Sequence, residues 1–290
     1  MIISASRRTD IPAYFSTWFL NRIKEGFVMT RNPRNPRQVR RIELTPSTID
    51  GIVFWTKNPT PLLNRLGELQ DYMYYFQFSI TPYGKDIEIN VPEKNTEILS
   101  AFKKLCNYIG PNRVIWRYDP ILINHKYTME YHIRAFEKIA KELRNYTRRV
   151  IFSFIDVNYR GVRSNINKLN LTDINPTMQE ELAVTIAEIA HSYGLAISTC
   201  AQELNLQKYG IQQGACIDSK LLEQLLGPEC SLNAKKDKNQ RSNCSCASSI
   251  DIGVYNTCLN GCRYCYANYN PGIVAANHKR HDVMSPFLLC

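Results

Sequence analysis

The sequence predicts an α/β protein, with parallel strands joined by helical crossovers and wound into a partial or closed (β/α) barrel of the TIM type. Three observations carry that prediction. Short β-rich runs alternate with stretches of helical periodicity along all 290 residues, which is the pattern of repeated βαβ units. The length suits an α/β barrel that forms one domain. The residues just past successive strands are polar, charged or sulfur-bearing, and the carboxyl-end loops of a barrel are where its chemistry is built.

In chain order, strands are expected at 2–6, 51–55, 75–80, 113–117, 150–154, 195–199 and 251–255, each rich in Ile, Val, Phe, Tyr or Trp. Between them, 14–24, 61–69, 95–108, 128–144 and 177–191 carry apolar residues at helical spacing. The run Asn-Pro-Thr-Met-Gln-Glu-Glu at 175–181 places Pro176 near the first helical position with acids close behind, a helix start signal. Residues 25–47 add a short hairpin, 27–30 with 39–44. No internal repeat or low-complexity tract interrupts the pattern, and the polar stretch 231–242 comes nearest to a linker.

Composition narrows the class. Hydrophobic residues make up 44% of the chain, ample for a core, yet no eighteen run together, so no membrane span is expected. The opening Met-Ile-Ile-Ser-Ala-Ser-Arg-Arg lacks the charged-then-apolar order of a signal peptide. Ten cysteines without an export signal point to reduced thiols in a cytoplasmic protein, used for metal or catalysis rather than disulfides. The net charge is +10 and is concentrated early, in Arg31, Arg34, Arg37, Arg40 and Arg41. A stretch of this density suits phosphate tracking on a nucleic acid. It also suits a solvated hairpin beside the site of an anionic cofactor, and it lacks the interleaved aromatics on which single-stranded bases stack.

The strand-end segments are Ser6-Arg-Arg-Thr9-Asp10, Thr56-Lys57-Asn58, Ser79-Ile-Thr81, Arg117-Tyr-Asp119, Asp156-Val-Asn158, Cys200-Ala-Gln-Glu203 and Asn256-Thr257-Cys258. The last leads into Cys258, Cys262 and Cys265, spaced C-x3-C-x2-C. A [4Fe–4S] cluster takes four thiolates, so three from one run leave an iron free to bind something else, and Gly261 lets the backbone bend round the cluster. The alternative is a zinc loop completed by His278 or His281. A second metal site is expected from Cys200, Cys216, Cys244 and Cys246, whose four thiolates suit another [4Fe–4S] cluster or a zinc ion. Glu203 and Asp218 flank it, and the plain alternative is that these cysteines are buried small hydrophobes. Cys106 belongs to a helical apolar pattern and reads as core; Cys230 and Cys290 read as incidental. His125, His132 and His191 stand singly and read as surface residues, and no dinucleotide or P-loop glycine motif is present.

The C-x3-C-x2-C run with Tyr264 just before its last Cys resembles the signature of the radical S-adenosylmethionine superfamily. The chain also resembles a bacterial family, a domain of unknown function, that opens with Ser-Ala-Ser-Arg-Arg-Thr-Asp-Ile-Pro and closes with this run. The resemblance implies that S-adenosylmethionine (SAM) chelates the open iron. Reduction by a donor such as flavodoxin or ferredoxin then cleaves it to a 5′-deoxyadenosyl radical that abstracts hydrogen from a substrate. The segments at Ser4–Asp10, Trp55–Asn58, Phe78–Thr81 and Trp116–Pro120 are similar to strand-end motifs of spore photoproduct lyase and its relatives, which makes nucleic acid one candidate substrate. That similarity assigns Lys57 to the cofactor carboxylate and Ser6, Thr9 and Asp10 to its amine or ribose. Ser79 is a further contact, Tyr264 faces the adenine, and Arg117 and Asp119 point into the barrel mouth. The structural alternatives are a salt bridge from Lys57 to Asp10 or Asp119, a turn cap at Ser79, and a network of Asp10 and Asp119 with Arg7, Arg8 or Arg117.

In such enzymes the Cys loop follows the first barrel strand, whereas here it comes last, so the barrel is expected to be circularly permuted. The strand at 251–255 should lie beside that at 2–6, with the Cys loop against Ser6–Asp10. The domain reading is then 1–290 as one barrel, with 200–249 an auxiliary metal-binding insertion and 250–290 the cluster-binding strand, loop and tail. The rival from another class is a zinc-stabilised nucleic-acid-binding protein without catalysis.

Overall fold

The computed structural model describes residues 1–289. The chain runs β1 (Ile2–Ala5), α1 (Ile11–Tyr14), α2 (Ser16–Glu25), β2 (Phe27–Asn32), β3 (Asn35–Glu43), β4 (Gly51–Thr56), α3 (Thr60–Leu63), β5 (Tyr74–Ser79), α4 (Leu99–Ile109), β6 (Val114–Ile121), α5 (Met129–Leu143) and β7 (Arg149–Phe154). It continues through α6 (Arg160–Arg163), α7 (Ile166–Leu169), α8 (Pro176–Ser192), β8 (Ala196–Cys200), β9 (Gln212–Gly214), α9 (Ser219–Leu226), β10 (Ile250–Asp251) and α10 (Pro271–Arg280). Eight strands form one parallel sheet in the order β10-β1-β4-β5-β6-β7-β8-β9, and β2 and β3 form the separate hairpin. The last strand therefore lies beside the first, with Ile3 opposite Ile250 and Ser4 opposite Asp251. Among the described residues β9 and β10 are not paired with each other, and they end the ladder.

All seven expected strands are present, and the differences have local causes. β10 stops after two residues because the Asp251 carboxylate turns the chain, accepting from Gly253 N at 3.0 Å. β9 was not expected, since Gln-Gln-Gly has no β-rich signature. The helix expected over 61–69 splits at Asn64–Arg65 into α3 and a 3₁₀ turn, Leu66–Leu69, which contains Gly67, a weak helix former. The helix over 95–108 opens with a π turn, Lys94–Ile98; such turns recur at functional sites. α8 starts on its sequence signal, with the Asn175 side chain accepting from Met178 N and Pro176 at the first position.

Alternation along each strand sends neighbouring side chains to opposite faces. Ile3, Phe54, Phe76, Trp116 and Phe152 join the larger core, under α2, α4, α5 and α8. Ile2, Val53, Tyr75, Ile115 and Ile151 join a second core, closed by Cys216, Ile217, Leu221, Leu222, Cys244 and Cys246. The segment expected as an insertion at 200–249 thus supplies the cover for one sheet face, which a parallel sheet needs on both sides. Among the described residues, no helix is long and apolar enough to cross a membrane.

Two expectations are corrected here. His132 is fully buried, not a surface residue: its ring joins the Tyr118 hydroxyl at 2.8 Å and the Leu122 carbonyl at 2.9 Å. Burial pushes its pKa down to about 4. The basic hairpin does not stand beside the Cys loop. It is rooted at the amino ends of the strands, where Tyr72 donates to Leu44 O just before β5 and the amino terminus donates to Thr48 O. Its Arg34, Arg37 and Arg40 are solvent-exposed.

Candidate functional site

The carboxyl end of β10 passes directly into the segment that bears Cys258, Cys262 and Cys265. Two asparagines shape that segment. Asn268 accepts from the backbone N–H groups of Thr257 and Cys258 at 2.7 and 2.8 Å and donates to Arg8 O at 2.9 Å. Asn256 accepts from Tyr269 N and Asn270 N at 3.1 and 3.3 Å. Gly261 takes φ +65°, the left-handed region open to glycine, so the expected sharp bend is made there. The chain returns with Arg263 N on Ile87 O and a bridge between Cys262 and Glu88.

The opening segment lies against this loop, as the pairing of β10 with β1 requires. Asn260 donates to the Asp10 carboxylate at 3.1 Å, the Tyr266 hydroxyl to Arg7 O at 2.7 Å, and Tyr14 to Asn260 at 2.8 Å. Asp251 ties the two chain ends together, accepting from Ser4, Ser6 and the backbone of Arg7 at 2.7, 2.7 and 2.8 Å. Gly253 leaves room for the Ser6 side chain, which a Cβ would strike.

Lys57 pairs neither with Asp10 nor with Asp119. Its ammonium lies 2.7 Å from Glu88, a fully buried carboxylate that also meets Lys94 and accepts from Thr81 at 2.7 Å and from the Tyr264 hydroxyl. Burial alone would raise the Glu88 pKa, but the two lysines outweigh it and hold the carboxyl down to about 2. Burial likewise opposes the charge on Lys57, and Glu88 overrides it, keeping that ammonium protonated. Two cations against one anion leave the group one positive charge in surplus, close to Cys262. A surplus charge of this kind recognises a carboxylate. A cavity of about 320 Å³ shares Glu88 and Lys94 with the group but is lined by none of the cysteines.

The remaining expected residues take the following places. Asp10 caps α1 through Ala13 N and accepts from Lys57 N at 2.8 Å, and burial raises its pKa to about 6. It pairs with no arginine among the described residues; Arg8 faces Asp251 at 3.9 Å and Arg7 faces Asp237 at 3.8 Å. The Ser6 hydroxyl is used on Asp251, whereas the buried Thr9 hydroxyl has no hydrogen-bond partner. The Tyr264 ring lies 5.8 Å from that of Tyr83 and 5.6 Å from the Lys57 ammonium. Ser79 stands opposite Arg117 in the β5–β6 ladder. Arg117 is bound to Asp119, which also accepts from Ser153, and its guanidinium reaches Cys216 Sγ at 3.0 Å, not the Cys258 loop.

The four other cysteines are gathered. Cys200 Sγ and Cys216 Sγ are 3.2 Å apart, and Cys246 Sγ accepts from Cys216 N and Ile217 N at 3.2 and 3.5 Å. The Cys246 thiol in turn holds the Cys244 pKa down to about 7. Asp218 caps α9 and pairs with Arg149 at 3.3 Å, and Glu203 is exposed. Cys106 is core, as expected, and Cys290 lies outside the described residues. His278 and His281 hold the backbone at Thr257 O and Leu288 O, at 2.6 and 2.9 Å. Among the described residues, no group of three or more His, Cys, Asp or Glu side chains is arranged so that it could hold a single metal ion. Burial pushes the Cys258 and Cys262 thiols up, so thiolates there need bound positive charge.

Sequence reasoning missed Glu88, Lys94, Asp251, Asn256, Asn260 and Asn268. Glu88 had one faint signal, the alternation Asp86-Ile-Glu-Ile that pairs it with the Cys loop. The asparagines had none, because a side chain clipping its own loop leaves no periodicity. The family described as Domain of unknown function (DUF1848) matches residues 2–267. No curated protein and no solved structure matches the chain.

Proposed function

The chain belongs to the DUF1848 family, and we propose that it is a radical SAM enzyme whose sheet is a circularly permuted partial (β/α) barrel. One observation carries this reading. The C-x3-C-x2-C loop leaves the carboxyl end of a strand parallel to and beside β1, facing Lys57 at the end of β4. The donor set suits the cofactors: three free thiols lie on one loop, and the buried Lys57 ammonium lies close to Cys262. Cys258, Cys262 and Cys265 would hold a [4Fe–4S] cluster, and bound SAM would supply a 5′-deoxyadenosyl radical that takes hydrogen from the substrate.

This chain's own residues would bind, orient and exclude water. Lys57, kept charged by Glu88, neutralises the cofactor carboxylate, while the unpartnered Thr9 hydroxyl offers a hydrogen bond to its amine or ribose. Tyr264 and Lys94 fix Glu88 so that Lys57 is held in place. The substrate remains open, with nucleic acid one candidate, and an external reductant of the flavodoxin or ferredoxin type is needed. The test is anaerobic reconstitution with iron and sulfide, then assay of 5′-deoxyadenosine from SAM and dithionite. The expected result is a brown protein that forms the nucleoside. A colourless protein that binds one zinc and no iron would establish the rival, a zinc-stabilised nucleic-acid binder.

A further inference from the structure

We propose that Cys200, Cys216, Cys244 and Cys246 hold a second [4Fe–4S] cluster, closed by four protein thiolates, against the sheet face that 200–249 covers. The site is made by three segments that only the fold unites: the end of β8, the turn after β9, and the stretch that leads to β10. Cysteines acting merely as small hydrophobes have no reason to touch, and Cys106 sits in the main core with no other cysteine beside it. These four are linked in series: Cys200 Sγ lies 3.2 Å from Cys216 Sγ, Cys216 N donates to Cys246 Sγ at 3.2 Å, and Cys246 meets Cys244.

The surroundings are built for negative sulfur. Arg117, almost fully buried, aims its guanidinium at Cys216 Sγ from 3.0 Å, and two backbone N–H groups point at Cys246 Sγ. Asp119 balances this guanidinium, and a further N–H is shared between Gln77 Oε1 at 3.3 Å and the Cys216 sulfur, so the cation also faces the thiol group. Tyr75 and Gln77 fix the Cys216 carbonyl at 2.7 and 3.0 Å, so the ligand loop is seated on β5. Zinc sites draw paired cysteines with two to four residues between them. Cys244-Ser-Cys246 is tighter, and neither Cys200 nor Cys216 has a partner at that spacing. With all four irons ligated by protein, this cluster has no iron open to SAM and serves electron transfer. The proposal uses none of the residues assigned to the SAM cluster and stands or falls apart from it.

The test compares three forms of the full chain, each purified and reconstituted anaerobically: wild type, C258A/C262A/C265A, and C200S/C216S. Iron, sulfide and zinc are counted, and the reduced proteins are examined by electron paramagnetic resonance. About eight irons are expected for wild type and about four for the loop variant, which keeps a reducible cluster signal. A loop variant that is folded by circular dichroism but holds no iron, or holds one zinc in its place, overturns the proposal. Arg117→Gln in the loop-variant background gives an independent readout: the signal's midpoint potential should move to more negative values at unchanged iron content. An unmoved potential would show that no cluster lies against this guanidinium. Failure of the SAM reading appears differently, as wild type that holds iron but forms no 5′-deoxyadenosine.

Discussion

Cys258, Cys262 and Cys265 lie within one loop, whereas Cys200, Cys216, Cys244 and Cys246 come from three segments of the chain's last third. The loop is shaped by neighbours in sequence, Asn256, Gly261 and Asn268, and then clamped between the opening segment and Glu88. The four-thiol group has no local scaffold. It exists because β8, β9 and the approach to β10 are brought to one sheet face, under Tyr75, Gln77 and Arg117. On the proposed reading, three ligands would leave a coordination position for chemistry, and four would close it. The same side chain thus yields a motif in one region and a purely spatial cluster in the other, beneath one sheet.

The largest effect expected on this contrast is from Cys262→Ala. It should abolish 5′-deoxyadenosine formation while leaving the iron held by the four-thiol group, and nucleoside formation that survives the change would disprove the loop assignment. Next comes Glu88→Ala, which strands Lys57 and Lys94 in a buried position. Breaking a buried pair costs about 3–5 kcal/mol, so the midpoint of urea unfolding should fall sharply, and SAM binding should weaken as Lys57 loses its anchor. A stable protein with unchanged SAM affinity would remove Glu88 from the loop side of the comparison.

Acid should act on the loop side first. His132 supports Tyr118 and packs near Tyr83, which in turn packs on Tyr264. Its folded pKa of about 4 lies below the unfolded value near 6.5, so the unfolded chain binds the extra proton between those values. The stability this residue contributes is complete above pH 6.5 and is lost as pH falls towards 4, by about 3 kcal/mol. Asp10, with its pKa raised to about 6, gains stability over the same window, so the readout is a difference: the advantage of wild type over His132→Gln in denaturant midpoint should shrink as pH falls from 6.5 towards 4.

Smaller still is Gly161→Ala, whose Cβ would come within 2.8 Å of Cys265 O. Overpacking of this kind costs about 1–3 kcal/mol, and iron should be lost from the loop before the four-thiol group. The least effect is expected from Arg34, Arg37 and Arg40 replaced together by Ser on the exposed hairpin. Stability should stay within about 0.5 kcal/mol and nucleoside formation should not change. Any loss of nucleic-acid affinity, measured with its salt dependence, would assign the hairpin to substrate capture instead.

Much of the fold was legible because the inner parallel strands are buried on both faces and so appear as dense apolar runs, as at 51–55 and 150–154. The helices at 128–144 and 177–191 were equally plain from their spacing. β9 was not, since three polar residues join the sheet only because β8 offers an edge beside them. His132 misled, because a lone histidine on a helix looks the same whether it faces water or Tyr118. At the site, Cys258, Cys262, Cys265 and Lys57 were readable as types at strand ends, but Lys57's partner was not. Glu88 reaches it by an excursion after β5 that only the short alternation Asp86-Ile-Glu-Ile announces.

By itself the sequence determined the run of strands and helices, the three-cysteine loop and the order that places that loop last. These depend on residues near one another along the chain, where periodicity and spacing act directly. Only the tertiary structure decided that Glu88 binds Lys57 and Lys94 together, and that Arg117 turns to Cys216 rather than to the loop. Those are contacts between distant residues in a low-dielectric interior, where a charge settles against whatever partner the packing delivers.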